Sequence, residues 1–333
     1  MEIKLIKNKL FNSENLSIEE SVFLFEKIME GQLNDIDLTG ILISLKSKGE
    51  SQNEIIGATK IMRSKSMQLS HSENIVDTCG TGGDMSNTLN ISTAASLVAA
   101  SCGVKIAKHG NKSVSSKSGS ADMLECLGYK ISKNLEELKE QLLNNNFCFM
   151  FAQNHHSAMK HVLNVRKTLG TRTIFNLLGP LTNPANAKNQ LLGVYDKKWL
   201  MTHCETLKEL GSQNALVVHG YDGLDEITLT NKTFVCELKN NKISNYIFDP
   251  KQIGYDYISI EDIKGGDPKF NAECFLKMIN GNYKKFQKIV ELNAGAAIYL
   301  ANFASNLKEG SKIAEKAINE GKTKHFIEKL ING

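Results

Sequence analysis

The chain has 333 residues and a formal net charge of +4, with 41% hydrophobic and 23% charged residues. These values are ordinary for a globular protein that buries its own core, and the length predicts about two domains. The small net charge argues against a dedicated nucleic-acid coat protein. No apolar stretch is long enough to predict a membrane span, and the first residues lack the apolar segment of a secretory signal.

The seven cysteines are scattered along the chain and form no C-x-x-C pair. This pattern indicates free thiols rather than a disulfide framework or a zinc site. We therefore expect a cytoplasmic protein.

The first 70 residues predict helices only. Two S-x-x-E capping boxes, Ser17–Glu20 and Ser51–Glu54, open helices, and Gly31 and Gly49 are typical of helix ends. Three short helices are predicted here, so we expect a small helical domain over residues 1–72. Its apolar face either forms only its own core or also docks on a second copy of the chain.

The pattern changes at residue 73, where short apolar runs alternate with helical patterns. This alternation predicts an α/β domain with a mostly parallel central sheet over residues 73–333. Strands are expected at 74–78, 104–109, 147–152, 190–196 and 214–220. A β meander is expected at 226–230, 233–238 and 243–248, and the last 50 residues predict helices.

Two polar loops, 79–90 and 109–119, follow predicted strands and lead into helices. Ligands of parallel sheets bind beyond the carboxyl ends of the strands, and a helix start attracts anions. The glycines of the first loop allow a close approach of the backbone to a ligand. Asn90, Ser92 and Thr93 are expected to cap the following helix and to offer donors to phosphate.

Known phosphate motifs do not explain the first loop. A Walker A sequence is absent, and the dinucleotide pattern G-x-G-x-x-G fails because Met85 occupies its third glycine position. The second loop adds the cations Lys108, Lys112 and Lys117, with His109 as a further candidate cation. The pair Asp225–Glu226 is either a surface turn or, near a polyphosphate, a magnesium site.

Four segments occur in a fixed order: "GTGGDMSNTLNIST", "KHGNKSVSSKSGSADMLECLG", "HHSAMKHVLNVRKTLGTRTIFNLLGPLTNP" and "GLDEIT". Together they resemble the anthranilate phosphoribosyltransferase family of tryptophan biosynthesis, over nearly the whole chain. The resemblance implies transfer of the phosphoribosyl group of 5-phosphoribosyl-1-pyrophosphate (PRPP) to the amine of anthranilate, with Mg²⁺ as cofactor. It also implies a nucleoside phosphorylase-like fold, packing of part of about 165–185 on the helical domain, and a homodimer through that domain.

The resemblance also assigns residues. Its PRPP contacts are Gly80, Gly83, Asp84, Thr88, Asn90, Ile91, Ser92, Thr93, Lys108, His109, Gly110, Asn111, Lys112, Ser113, Val114, Ser115, Ser116 and Ser120. Its anthranilate contacts are Gly80, Asn111, His156, Arg166 and Pro180. Its metal ligands are Ser92, Asp225 and Glu226.

For the chemistry, we expect Lys108 to stabilise charge, and His109 and His156 are candidates for a base. Met85, Lys112 and Ser157 depart from the family pattern, which commonly has glycine, arginine and proline there. Two alternatives remain: a pyrimidine nucleoside phosphorylase that shares the fold, and a non-catalytic paralogue that binds nucleic acid.

Overall fold

The computed structural model describes residues 1–113 and 117–332. Within residues 1–64 it contains the helices α1 (Ile3–Phe11), α2 (Ile18–Met29), α3 (Asp35–Lys48) and α4 (Gln52–Ser64). The capping boxes Ser17–Glu20 and Ser51–Glu54 are both formed, as predicted. The prediction of three helices was wrong, because it missed α1. This helix begins without a side-chain cap, and only Ile6 and Leu10, one turn apart, are buried.

The strands of the described chain form one sheet. They are β1 (Ile75–Gly80), β2 (Lys105–Gly110), β3 (Phe147–Phe151), β4 (Asn189–Gly193), β5 (Asn214–Gly220), β6 (Thr233–Lys239) and β7 (Lys242–Phe248). Their order is β3-β2-β1-β4-β5-β6-β7. The first five are parallel and the last two antiparallel, which confirms the predicted α/β class. Gly80 pairs with Gly193, so the carboxyl ends of β1 and β4 lie side by side.

The strand predicted at 226–230 is wrong, since the described chain has no strand there. Side chains form the hydrogen bonds to the backbone of this segment that a neighbouring strand would otherwise form. Asn293 accepts a hydrogen bond from the backbone N–H of Ile227 at 3.1 Å and donates to its carbonyl oxygen at 2.9 Å. The N–H of Thr228 donates to Oγ1 of Thr233 at 3.1 Å.

Helices follow β1 and β2 and dominate the C-terminal region, as predicted. After α4 the described chain contains α5 (Ile91–Ser101), α6 (Ser120–Cys126), α7 (Leu135–Asn145), α8 (Ala152–His155), α9 (Lys160–Leu169), α10 (Phe175–Leu178), α11 (Trp199–Glu209), α12 (Pro268–Ile279), α13 (Lys284–Leu300), α14 (Leu307–Asn319) and α15 (Lys322–Asn332). None of the helices described combines the length and the apolar character that crossing a bilayer requires.

The N-terminal helices share a buried core with α9 and α10. Phe25 of α2 meets Phe175 of α10 edge to face, with ring centroids 5.9 Å apart. Val162 and Val165 of α9 are buried in the same cluster, which continues through α11 to β4 and β5. A second large core lies around α5 and α13. The segment between β3 and β4 thus joins the helical bundle to the edge of the sheet where the polar loops lie.

Candidate active site

The first polar loop joins β1 to α5 and depends on its glycines. A side chain at Gly80 would collide with the carboxylate of Asp225. Gly82 and Gly83 have φ angles of +64° and +77°, in the left-handed region that glycine adopts without strain. Met85 also has a positive φ, +60°, and its side chain is 86% exposed. Asn87 has a φ of +50° as well, so the loop turns through four left-handed residues on its way to α5.

A second segment supports the end of this loop. The N–H of Leu89 donates to the carbonyl oxygen of Ile263 at 2.8 Å, and the N–H of Gly265 donates to that of Asn87 at 2.7 Å. Thr88 forms an isolated antiparallel bridge with Lys264. The chain before α12 thus fixes the loop from outside.

The expected helix cap at α5 is different in the structure. Asn90 occupies the cap position, but its side chain makes no capping hydrogen bond. Its amide instead donates to the carbonyl oxygen of Ser118 at 3.1 Å and accepts from Nδ2 of Asn271 at 2.8 Å. The prediction that Asn90 caps the helix is wrong, because this amide ties the first loop to the second loop and to α12.

Asp225 and Glu226 lie after β5 and reach across to the first loop. Oδ2 of Asp225 accepts from the backbone N–H of Gly82 at 2.9 Å. Oε1 of Glu226 accepts from the N–H of Ser92, in the first turn of α5, at 3.1 Å. The carboxylate pair is therefore not a surface turn: it occupies the donors of the glycine loop and the helix start.

The two carboxylates are electrostatically strained. Burial, together with the nearby carboxylate of Asp84, raises the pKa of Asp225 to about 7. Burial and the adjacent Asp225 raise the pKa of Glu226 well above its ordinary value, although Lys108 opposes this. Among residues 1–113 and 117–332, no group of three or more His, Cys, Asp or Glu side chains is arranged to hold a metal ion. An ion at the pair therefore requires further oxygen ligands from a hydroxyl, water or phosphate.

Lys108 lies under the start of α5. Its side chain is 1% exposed, and its ammonium donates to the carbonyl oxygen of Thr78 on β1. Nζ also lies 3.4 Å from Oγ of Ser92. Burial lowers the pKa of Lys108, whereas the carboxylate of Asp77 acts in the opposite direction. A buried amine thus stands directly behind the helix start that Glu226 contacts.

The second polar loop is held at both described ends by Asp122. Oδ2 of Asp122 accepts from the N–H groups of Ser113 and Gly119, each at 2.9 Å. Lys112 forms a half-exposed ion pair with Glu125 at 2.9 Å. Three predicted PRPP contacts lie outside the described residues: Val114, Ser115 and Ser116.

The start of this loop is packed tightly. A side chain at Gly110 would lie 2.9 Å from the ring of Phe149 and 3.2 Å from Cβ of Ser120. Oδ1 of Asn111 accepts from Nε2 of Gln153 at 3.2 Å. Gly110 and Asn111 are therefore fixed where β2 ends.

Two histidines pack together beside these loops. The rings of His109 and His156 are tilted, with centroids 5.3 Å apart. Burial lowers the pKa of His156 to about 4 and that of His109 well below its ordinary value. Both rings are therefore neutral near pH 7, and the interpretation of His109 as a cation is wrong. Nε2 of each ring is buried without a hydrogen-bond partner in the described chain.

Arg166 lies on α9 and is half-buried. Its guanidinium carbon lies 5.4 Å from the ring centroid of Phe175, a cation–π distance. Burial lowers its pKa. Within the described ranges 1–113 and 117–332, no carboxylate or other hydrogen-bond partner meets the guanidinium. This planar fork suits a carboxylate ligand.

Models of known protein families match both halves of the chain. The α/β domain of a glycosyl transferase family matches residues 72–324, and the helical bundle domain of the same family matches residues 4–66. The match covers most of the chain, so the chain belongs to this glycosyl transferase family.

Individual relatives narrow the assignment. The chain is 48% identical to the anthranilate phosphoribosyltransferase of a Thermoanaerobacter species, over 94% of this chain and 93% of that protein. It is 44% identical to the anthranilate phosphoribosyltransferase of Methanobrevibacter smithii, over 97% of this chain and 96% of that protein. The chain belongs to the anthranilate phosphoribosyltransferase family. The resemblance stated from the sequence is thereby confirmed.

Solved structures agree with this assignment. The crystal structure of anthranilate phosphoribosyltransferase from Thermus thermophilus superimposes with a TM-score of 0.92 at 38% identity, covering 98% of each chain. The Saccharomyces cerevisiae enzyme in complex with PRPP and Mg superimposes with a TM-score of 0.89 at 27% identity, covering 100% of this chain and 98% of that one.

The departures from the family pattern can now be placed. Met85 adopts the left-handed conformation that suits the glycine common in the anthranilate phosphoribosyltransferase family. Lys112, at a position where the family often has arginine, forms an ion pair with Glu125. Ser157 begins a short 3₁₀ helix without proline. None of the three lies among the carboxylates or in the histidine pair.

Several supporting residues escaped the sequence interpretation. Arg172 donates to the carbonyl oxygen of Gly83, and its guanidinium carbon lies 4.0 Å from the ring centroid of Tyr195. It lies in the same quoted segment as Arg166, so the segment itself was the available signal. Asn271 and Asn293 lie far along the chain, and only the fold brings them to the loops.

A buried polar cluster behind the loops was also missed. Oδ1 of Asp77 accepts from the backbone N–H of His109 at 3.0 Å, and Oδ2 accepts from Nε2 of Gln190 at 3.2 Å. Gln190 also donates to the carbonyl oxygen of Pro180 at 2.5 Å. This cluster links the predicted PRPP contact His109 to the predicted anthranilate contact Pro180 through the end of the sheet.

The structure brings together most of the predicted phosphate and metal residues. The first loop contacts the carboxylate pair, and Asn90 and Lys108 connect it to the second loop. The predicted anthranilate residues are less connected: in the described chain, no hydrogen bond or ring contact joins Arg166 to His156 or Asn111.

Proposed function

We propose that the chain transfers the phosphoribosyl group of PRPP to the amine of anthranilate. The products are N-(5-phosphoribosyl)anthranilate and pyrophosphate, and the reaction is the second step of tryptophan synthesis from chorismate. The carrying observation is the Asp225–Glu226 pair, which bridges the glycine loop and the start of α5 in a chain of this family. A site with paired acidic groups beside anion-binding N–H groups suits a polyphosphate with a divalent cation.

The residues fit Mg²⁺ as the cofactor. Burial, and secondly the neighbouring carboxylates, raise the pKa values of Asp225 and Glu226, and a bound cation opposes both effects. Together with the hydroxyl of Ser92, these two carboxylates supply the hard oxygen ligands that Mg²⁺ prefers, and phosphate oxygens complete such sites. When bound there, Mg²⁺ supplies positive charge against the pyrophosphate leaving group. The structure of the Saccharomyces cerevisiae relative in complex with PRPP and Mg supports this choice.

The PRPP site is proposed along the two loops. Gly80, Gly83, Asp84, Thr88 and Gly110 line the backbone turns, and the polar side chains surround the start of α5. The remaining proposed contacts are Asn90, Ile91, Ser92, Thr93, Lys108, His109, Asn111, Lys112, Ser113, Val114, Ser115, Ser116 and Ser120. The hydroxyl of Thr93 supports the assignment, because it is buried without a hydrogen-bond partner in the described residues.

The anthranilate site is proposed between the two loops and α9. The guanidinium of Arg166, which has no partner in residues 1–113 and 117–332, binds the anthranilate carboxylate, and Gly80, Asn111, His156 and Pro180 contact the ring. Nε2 of His156 is buried and finds no partner among the described residues, which supports a polar ligand at this place. A structure of the yeast relative in complex with 4-fluoroanthranilate also supports it.

The chain's own residues then act by position and charge. The anthranilate nitrogen bonds to C1 of the ribose while the bond from C1 to the pyrophosphate oxygen breaks, and the electron pair leaves with pyrophosphate. The transition state resembles an oxocarbenium ion, as in glycoside chemistry. Lys108 and the N–H groups of the first loop stabilise charge at the leaving group. The amine loses one proton, and the neutral rings of His109 and His156 are the candidates that accept it.

Three further features belong to this proposal. We propose that residues 1–72 and 73–333 are the two domains, with about 165–185 packed on the first. We also propose a homodimer through the helical domain, supported by the exposed side chains Leu5, Phe11, Ile36 and Leu163 on α1, α3 and α9. A cytoplasmic location is supported by the cysteines, all seven of which lie in the described residues as free thiols.

Product identification tests the proposed reaction. The protein is incubated with PRPP, Mg²⁺ and anthranilate, and mass spectrometry should find phosphoribosylanthranilate and pyrophosphate in equal amounts. Thymidine with inorganic phosphate serves as the parallel incubation for a nucleoside phosphorylase. Release of thymine together with no product from anthranilate would contradict the proposal. For the homodimer, light scattering of Ile36→Glu should give a smaller mass than the unaltered chain.

A further inference from the structure

The segment that carries the carboxylate pair lacks a neighbouring strand. Ile227 follows Glu226 directly and is 1% exposed, so its backbone N–H and carbonyl groups need protein partners. A single side chain supplies both: Oδ1 of Asn293 accepts from this N–H at 3.1 Å, and Nδ2 donates to this carbonyl at 2.9 Å. Asn293 thus replaces a strand at the point where the chain leaves the pair.

Asn293 is itself fixed. It is fully buried on α13, and Nδ2 also donates to the carbonyl oxygen of Ile289, one turn earlier, at 2.9 Å. Both N–H groups and the oxygen of the amide are therefore in use. An aspartate at this position has the same shape, but when ionised it has no hydrogen to donate. Only an amide of this length satisfies both backbone groups and the helix at once.

The other end of the segment is held by the sheet. The N–H of Gly220, at the end of β5, donates to the carbonyl oxygen of Leu224 at 2.8 Å. A side chain at Gly193 on β4 would collide with the backbone carbonyl of Asp225. The carboxylate pair is therefore suspended between β5 on one side and α13 on the other.

Position matters here because each carboxylate makes a directed contact with one backbone N–H group of the first loop or of α5. Asp225 meets the N–H of Gly82 at 2.9 Å, and Glu226 meets that of Ser92 at 3.1 Å. A displacement of about 1 Å in the segment is enough to lose such contacts and the geometry they set. A residue that fixes the backbone beside the pair therefore controls the placement of the two carboxylate ligands.

We propose that Asn293 is a positioning residue that holds Asp225 and Glu226 in place to receive the divalent cation. This inference rests on the proposed function, because it takes the pair as the cation site. Asn293 itself contacts the backbone of Ile227 and not the two carboxylates, so its role is to position the pair. Residues that orient metal ligands in this way change metal affinity when they are replaced.

Cation binding tests the proposal without the transfer reaction. Mn²⁺ takes similar oxygen ligands and is observed by electron paramagnetic resonance, so it is titrated into the whole protein with pyrophosphate present. We expect Asn293→Ala and Asn293→Asp to bind Mn²⁺ about 10- to 100-fold more weakly than the unaltered chain. Asn280→Ala is the matched control: its amide donates to Leu276 within α12 and is exposed. It should leave Mn²⁺ affinity unchanged.

Activity gives a second readout. In the Asn293 variants, the Mg²⁺ concentration for half-maximal rate should rise by about the same factor, with the KM for anthranilate within about twofold. An Mn²⁺ affinity within twofold of the unaltered chain, in variants whose circular dichroism is native, overturns the proposal. An equal loss for Mn²⁺ and anthranilate also overturns it, because that result indicates general structural damage.

Hydrogen exchange covers the case in which the variants do not fold. In the unaltered chain, a peptide containing residues 224–229 should keep protected amide hydrogens for as long as the peptide from β5. Exchange of the whole peptide within seconds overturns the proposal. The two claims fail separately: no transfer by the unaltered chain contradicts the proposed function, whereas active protein with unchanged Mn²⁺ affinity in the variants contradicts only the role of Asn293.

Discussion

The metal side and the anthranilate side of the site are prepared in opposite ways. On the metal side, the carboxylates of Asp225 and Glu226 already hold the N–H groups of Gly82 and Ser92. On the anthranilate side, Nε2 of His156 and the guanidinium of Arg166 have no partners in the described chain. On the metal side the protein's own carboxylates satisfy the backbone donors, whereas on the anthranilate side the described chain leaves polar groups unsatisfied.

This difference indicates how each side responds to a ligand. On the metal side, a phosphate competes with the carboxylates for the N–H groups of Gly82 and Ser92, because these groups also suit a bound anion. The carboxylates are then available to the cation. Anthranilate on the other side finds buried donors and acceptors that are unsatisfied without it, and satisfying them favours binding. The metal side should therefore depend on charge compensation, and the anthranilate side on direct hydrogen bonds.

Neutralising the pair should give the largest effect. Asp225→Asn with Glu226→Gln keeps the shape and an acceptor for each N–H but removes both charges. We expect the rate at limiting Mg²⁺ to fall at least about 100-fold. Without ligands, the double variant should melt at a higher temperature, because the cost of burying two adjacent carboxylic groups is gone.

Glu261→Gln is the matched control for this experiment, since Glu261 is an exposed carboxylate paired with Lys264. It should change neither the rate nor the melting temperature appreciably. A double variant with a normal rate at limiting Mg²⁺ would remove the distinction between the two sides.

Arg166→Ala should affect only the anthranilate side. Loss of a charged hydrogen-bond donor should raise the KM for anthranilate about 10- to 100-fold and leave the KM for PRPP within about twofold. Lys167→Ala, an exposed neighbour on α9, is the control. Steady-state kinetics with each substrate varied in turn make the comparison, and equal losses for both substrates would contradict the role of Arg166.

His156 should contribute to acid sensitivity. Its pKa is about 4 in the folded chain, below the ordinary value of 6.5, so between these pH values the unfolded chain binds a proton that the folded chain does not. Stability from this group is complete above about pH 6.5 and declines as the pH falls toward 4. His156→Gln should therefore lose about 2–3 kcal/mol less than the unaltered chain between pH 7 and pH 4. Denaturant unfolding at both pH values measures this, and equal losses would indicate that His156 is not held neutral.

Met85 should give the smallest effect. Met85→Gly removes the steric strain of a side chain at a left-handed φ, whereas Met85→Ala keeps that strain. This strain alone should make the glycine variant about 1 kcal/mol more stable than the alanine variant. The greater entropy of glycine in the unfolded chain acts in the opposite direction. The net difference should be within about 1 kcal/mol, and both variants should keep normal kinetics. A large loss of activity in Met85→Gly would place this side chain in the site.

The sequence predicted those parts of the fold that depend on local signals. The capping boxes, the alternation from residue 73 and the glycine loop led to the helical region, the parallel sheet and the edge where the loops meet. Residues 226–230 have the composition of a strand, yet the backbone of Ile227 forms its hydrogen bonds with the side chain of Asn293, 66 residues further along the chain. No local pattern reports such a distant partner.

The same limit applies to the site. Asn90 is a good helix cap by type, but the fold brings Asn271 and Ser118 within reach of its amide. His109 is a candidate cation by type, and only burial beside His156 shows that its pKa is too low. Charge states and long-range hydrogen bonds follow from burial, which the sequence does not specify residue by residue.

Loss of anthranilate fluorescence is the most direct measure of phosphoribosyl transfer by this chain. The fluorescence of anthranilate is followed with the protein, PRPP and Mg²⁺ present, and then with each omitted in turn. We expect steady loss of the signal in the complete mixture, no loss without protein or PRPP, and strongly slowed loss without Mg²⁺. An unchanged signal in the complete mixture, from protein that is folded and pure, would contradict the assignment of this site to phosphoribosyl transfer.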